Sequence, residues 1–231
     1  MKTIVLGIGE PFSSPAWGSN FILFSSGTGE PIPEPEVKAY LARACRYARH
    51  FGVYLVPERF MMPDRHCMCL ISPDGKVMGA QQALYRNLDH THGQQGTEIE
   101  VISTEFGGIF LCVDVDIYRP QLIRLAHNMG ASIVLSSQQI ADMDYGTNMV
   151  VSGVWNAAQS NNIYTVGVSN KFHCVCAPRL LTKQGDGFLI SPTLKMPSTA
   201  KLEAERLSSL PRRPMLGRRF FALHRQELLD E

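Results

Sequence analysis

Charge is scarce in this 231-residue chain: 19% of residues are Asp, Glu, Lys or Arg, and the formal net charge is +1. A near-neutral balance gives no electrostatic footprint for nucleic acid or an anionic membrane surface, so neither partner is expected. Long apolar runs are lacking too. No stretch approaches the ~18 residues that a spanning helix needs. The opening MKTIVLGIGEPF carries no signal-peptide cleavage pattern, so the sequence reads as soluble and cytoplasmic. No repeat occurs at any period, which excludes solenoids and propellers. The six cysteines form no small-domain disulfide framework and fit reduced thiols in a cytosol. No cofactor is implied.

Apolar residues make up 45% of the chain, enough to bury a core in one domain. Residues 3–9 read as a strand and 12–35, rich in Ser, Gly and Pro, as loop. Residues 36–51 have helical spacing, with Gly52 as the stop. Strands are expected at 53–56 and 66–72, the latter turning at Pro73-Asp74-Gly75 into a partner at 76–85. A further strand at 97–104 precedes helices at 120–129 and 148–161, with strands at 131–136 and 163–169 and a closing hairpin at 173–181 and 187–190. Strands and helices alternate, so a layered α/β fold is expected.

The segment FGGIFLCVDVDIYRPQ, residues 106–121, organises this pattern. A small-residue turn feeds a short apolar run that stops at Cys112 and passes into Asp114, Asp116 and Pro120. The reading is a strand ending on a cysteine that faces the turn into a helix, where α/β sheets expose reactive groups. An unpaired cysteine is more often a small buried hydrophobe; a strand-end one is a candidate nucleophile.

This segment, through the Gly130-Ala131 that follows the helix, resembles the nucleophile region of the nitrilase superfamily, the carbon–nitrogen hydrolases. LISPDGKVMG (70–79) resembles that family's hairpin, and NNIYTVGVSN (161–170) its late strand ending in Asn. The resemblance spans roughly residues 1–215, leaving 216–231 as a tail. It implies an α-β-β-α sandwich, here with the first strand–helix unit expected to be missing and a sheet edge thereby exposed. It also implies homo-oligomers joined through helical faces, and amide or nitrile substrates cleaved through a cysteine thioester. Cys112 matches the nucleophile. Glu10, ending the first strand, matches the general base, with Glu58 in YLVPERF as its rival. A base and a nearby cation are what a thiol needs to react as thiolate at neutral pH.

Departures from the family pattern bear on activity. Asn87 occupies the lysine position; an amide can donate to an oxyanion but brings no charge, and losing a good oxyanion donor typically costs about 10² to 10³ in rate. Arg86 and His90 are the neighbouring cationic candidates. Gln121 stands where a glutamate is usual. Two readings follow: an amidase-like or nitrilase-like hydrolase using Cys112, Glu10 and Asn87, or a catalytically inactive relative with an oligomerisation, ligand-binding or regulatory role.

Two further patterns occur in the sequence. HCMC (66–69) and HCVC (173–176) would offer four thiols and two imidazoles to zinc if their strands adjoined. Structural zinc sites favour turns with CxxC spacing, so core packing is the expectation and no metal site is assigned. The arginines of RRPMLGRRF read as a solvated or interface tail.

Overall fold

The computed structural model describes residues 3–25, 28–63, 65–85, 95–141 and 147–210. Asn87, Arg86, His90 and the 216–231 tail lie outside these. In chain order the strands begin with β1 (Ile4–Gly9) and β2 (Phe21–Phe24). Helix α1 (Glu34–Phe51) leads to β3 (Tyr54–Val56), β4 (Phe60–Met62), β5 (Arg65–Ile71) and β6 (Val77–Gln82). Then come β7 (Val101–Thr104), β8 (Gly107–Val113), α2 (Pro120–Asn128) and β9 (Ala131–Gln138). Helices α3 (Thr147–Val150) and α4 (Asn156–Asn161) precede β10 (Tyr164–Ser169), β11 (His173–Cys176), β12 (Phe188–Thr193), β13 (Ser198–Leu202) and α5 (Ala204–Ser208).

The strands form two sheets. One has the order β13-β1-β2-β3-β5-β4 with β6 also on β5; the other runs β12-β11-β10-β9-β8-β7. Alternation decides what lies between them. Ile4, Leu6 and Ile8 of β1 pack with Ile109, Leu111 and Val113 of β8 in the inter-sheet core. The other face of β8, Phe110 and Cys112, packs on Leu122, Ile123, Ala157 and Ala158 of α2 and α4. Ile22, Phe24, Leu55, Cys67 and Cys69 likewise meet Val37, Ala44 and Ala48 of α1. The result is an α-β-β-α sandwich.

Local chemistry fixes the ends of α1. Glu34 and Glu36 lie in its first turn and Arg49 and His50 in its last, each matching the helix dipole. Gly52 ends it in the left-handed conformation (φ 63°), its N–H donating to Ala48 O.

Several elements differ from the sequence reading. The stretch read as loop over 12–35 contains β2, whose four residues Phe21, Ile22, Leu23 and Phe24 are all buried. It lies parallel between β1 and β3, and a strand covered on both faces has no polar alternation to reveal it. The β1–β2 connection, residues 10–20, contains no helix. Phe12 helps to cover the sheet there: its ring packs edge-on against Phe24 at 5.2 Å and Tyr40 at 5.4 Å, and Arg43 lies 3.8 Å over it. The β1 edge is not exposed, because β13 pairs antiparallel along it from Ile4↔Leu202 to Ile8↔Ser198. The helix expected at 148–161 is broken by a π-helical turn, residues 151–155. There Gly153 gives Tyr118 room: a Cβ would stand 2.7 Å from its ring.

The two HCxC segments do not meet. Cys67 and Cys69 face α1 on the outside of one sheet, Cys174 and Cys176 face α4 on the outside of the other, and the inter-sheet core separates them. Among the described residues no helix is long and apolar enough to cross a membrane.

Candidate functional site

Parallel strands β2, β3, β8, β9 and β10 bring their C-terminal ends to one side of the sandwich. This is where open α/β sheets place ligands and reactive groups. Strand β8 delivers the central turn. Its residue Val113 ends the inward series, and Asp114 then takes a left-handed conformation, φ 52°, at the start of a 3-10 turn over Asp114–Tyr118. Simple alternation would send Asp114 toward the helices with Cys112. The positive φ instead swings its carboxylate across to the other sheet.

Arg59, three residues past β3, meets it. Arg59 Nη1 lies 3.4 Å from Asp114 Oδ1, with both side chains buried. The other guanidinium nitrogen donates to Gly29 O, and Gln139 N–H donates to Asp114 Oδ1 at 3.1 Å. Burial lowers the Arg59 pKa and the facing carboxylate opposes that shift. Around this pair, Ser25, Glu58, Ser137, Gln138 and Ser169 line a cavity of about 10 Å³, room for one water. Arg59 itself lines this cavity at the strand ends.

Asp116 holds the opposite flank. It is fully buried and its carboxylate accepts the N–H of Leu84 (3.0 Å) and of Tyr85 (2.8 Å). Burial raises its pKa to about 7, the two N–H bonds acting in the other direction. Arg119 stacks over the Tyr85 ring at 4.7 Å.

The sequence reading set Cys112 facing the turn; the structure sets it facing the helices. Cys112 is fully buried in the apolar layer under α2 and α4. Burial pushes its thiol well above the usual range, Asp116 and Asp114 add to this, and a hydrogen bond with the Ser136 hydroxyl opposes it. Gln138 Nε2 donates to that Ser136 Oγ at 3.3 Å, and Tyr118 O–H donates to Gln138 Oε1 at 2.6 Å. A reactive thiol needs the reverse, a lowered pKa and access.

Glu10 lies exposed just past β1 on the other sheet, its carbonyl accepting the Ser13 hydroxyl at 2.7 Å. Its rival Glu58 is bound to α1: Tyr40 O–H donates to Glu58 Oε2 at 2.9 Å, and Glu58 N–H donates back to the phenol oxygen at 3.1 Å. Asn87 falls outside the described residues. The structure thus brings together Arg59, Asp114, Asp116 and Gln138, none of them chosen from the sequence. The repeated acid of VDVD after a strand, and the Arg beside Glu58, were the available signals.

No family model matches the chain, and no curated protein matches it by sequence. Solved structures do match. A mutant of the Nesterenkonia AN1 amidase from the nitrilase superfamily is 18% identical, covering 97% of each chain with a TM-score of 0.68. A carbon–nitrogen hydrolase from Helicobacter pylori G27 is 14% identical over 99% of this chain and 96% of its own, TM-score 0.70. Nit3 of Saccharomyces cerevisiae, of branch 10 of the nitrilase superfamily, is 13% identical over 94% and 96%, TM-score 0.74. With its two sheets, outer helices and near-complete overlap, this chain has the carbon–nitrogen hydrolase fold of the nitrilase superfamily.

Proposed function

We propose that this chain is a catalytically inactive carbon–nitrogen hydrolase relative, which keeps the sandwich as a scaffold for self-association. The observation that carries the reading is the swap at the end of β8. The residue turned into the cleft is Asp114, already engaged by Arg59, while Cys112 lies buried among helices with a raised pKa. A carboxylate held by a guanidinium is a poor substitute for a thiolate, and the cavity beside it, among the described residues, measures about 10 Å³. The helical layer supports the scaffold role. Residues 148–161 contain no Asp, Glu, Lys or Arg, and Leu125, Met129 and Val151 are exposed on that layer. A helical segment so poor in charge, with apolar side chains exposed beside it, suits burial against a second copy.

The competing reading is amide or nitrile hydrolysis through Cys112, with Glu10 as base and Asn87 as oxyanion donor. What favours it is the similar amidase, one mutant of which shows the acetamide moiety of fluoroacetamide added at the active-site cysteine, and another a complex with butyramide. One assay separates the two. Ammonia release from butyramide and from a short aliphatic nitrile is measured with the wild type and with Cys112→Ala. The inactive reading expects release at the buffer rate from both; release lost in Cys112→Ala overturns it. Self-association is tested separately by light scattering, where Leu125→Glu with Val151→Glu is expected to give monomers. An assembly unchanged by that pair contradicts the helical-face interface.

A further inference from the structure

Strand β13 is where the chain crosses from one sheet to the other. Its predecessor β12 belongs to the sheet of β8, whereas β13 pairs with β1 in the second sheet. Two side chains from the sheet it has left grip it. At its start His173 of β11 reaches Ser198, Nε2 to Oγ at 2.8 Å, and just past its end Tyr164 O–H of β10 donates to Glu203 O at 3.2 Å. The first grip fixes a protonation state. Ser198 has one hydroxyl proton and donates it to Lys195 O at 2.8 Å, so its oxygen accepts from His173 Nε2–H. Nδ1 is then the bare ring nitrogen, and it is buried with no hydrogen-bond partner among the described residues. The other tautomer would bury an N–H without an acceptor, and the imidazolium would bury a charged one. The ring lies between Val168 of β10 and Thr193 of β12, its register partners. Charged residues at this end of the strands are Glu10 past β1, Lys171 before β11 and Lys195 before β13, of which Glu10 and Lys195 are exposed. Arg59 and Asp114 follow β3 and β8, each three strands away in its sheet.

We propose that His173 is an acid-released catch on β13: its neutral ring holds the start of the strand in place against β1, and protonation at Nδ1 frees it and uncovers the β1 edge. The direction follows from the hydrogen bonds. Closed, the catch offers an acceptor to one ring N–H; open, water offers one to each. The open form therefore takes up a proton more readily, and falling pH promotes opening. Burial acts in the same sense, lowering the ring's pKa from 6.5, while the Lys195 backbone opposes that shift. The dependence runs from about 6.5 down to the folded value and vanishes above it. The catch operates whether or not Cys112 supports turnover.

Hydrogen exchange on the full chain tests this, with rates corrected for the intrinsic pH dependence of exchange. The β13 amides are expected to be less protected than those of β10 at every pH, and to lose protection below pH 6.5 by up to about tenfold per pH unit. His173→Gln, neutral and still able to donate to Ser198, is expected to hold β13 protection constant over that range. Equal protection in β13 and β10, flat protection in the wild type, or an unchanged slope in His173→Gln overturns the catch. Should the variant not fold, the ring nitrogens of His173 are followed by NMR in the wild type. An Nε2–H tautomer at pH 8 that becomes charged only as β13 loses protection supports the proposal. An Nδ1–H tautomer, or a ring that becomes charged while β13 stays protected, overturns it.

Discussion

Arg59 and Asp114 face each other at 3.4 Å across the two sheets, each buried and each on a different layer of the sandwich. Their approach depends on one backbone feature, the left-handed φ of Asp114, which turns a side chain from the helical layer into the cleft. The pair lies at the C-terminal ends of the parallel strands, where α/β sheets commonly place ligands.

Replacing Arg59 removes a buried cation that faces Asp114. Arg59→Met is expected to lower stability by about 3–5 kcal/mol, measured by urea unfolding. Adding Asp114→Asn, which tolerates the left-handed backbone and removes the facing negative charge, is expected to recover part of the loss. A double variant as unstable as the sum of the singles would show that the pair is not coupled.

Stability against pH carries two opposing slopes. Asp116 has a folded pKa raised from 3.8 to about 7, so its contribution is fully present below 3.8 and is lost as pH rises through 7. His173 is the opposite case. It is fully buried, Nε2 bonded to Ser198 Oγ at 2.8 Å and Nδ1 without a hydrogen-bond partner among the described residues, and burial lowers its pKa from 6.5 while a hydrogen bond with the Lys195 backbone opposes the shift. Its contribution is present above 6.5 and is lost as pH falls through the folded value. Unfolding measured from pH 4 to 8 is expected to lose the acid-side decline in His173→Gln and the decline toward neutrality in Asp116→Asn. Parallel curves for wild type and either variant would contradict that assignment.

Close backbone packing gives a third expectation. At Gly167 a Cβ would stand 2.6 Å from Val154 Cγ2, in the layer between β10 and the π-helical turn. Gly167→Ala is expected to cost about 1–3 kcal/mol in urea unfolding. Gly18, with open space around its Cβ position but φ 79°, is a control for strain without crowding. Equal effects at the two sites would remove packing as the cause.

The layered architecture was legible in the sequence because most elements keep clear periods. The amphipathic spacing of 36–51 and the polar stop at Gly52 gave α1 nearly to the residue. Strand β2 escaped because both its faces are buried, and β13 because its inner face carries only two apolar residues, Ala200 and Leu202, beside Ser198. For the site, the strand-end cysteine drew attention to the correct turn, since β8 does run from Gly107 to Val113. Which side chain that turn presents is set by a single φ at Asp114. Acidic residues routinely follow strands, so nothing in VDVD distinguishes a carboxylate facing the cleft from one facing solvent. Arg59 was equally hidden: its partner is 55 positions away in sequence, and only the stacking of the sheets joins them.

The reactivity of Cys112 in the folded protein is the most direct test of the central claim. Native protein is incubated with fluoroacetamide, a parallel sample is treated with iodoacetamide after unfolding, and both are read by intact mass and peptide mapping. The account predicts that Cys112 stays unmodified in the native sample and is alkylated once unfolded, because its thiol is buried and held protonated. Stoichiometric acetamide on Cys112 in the folded protein, absent in Cys112→Ala, would contradict it and place a working thiol at the end of β8.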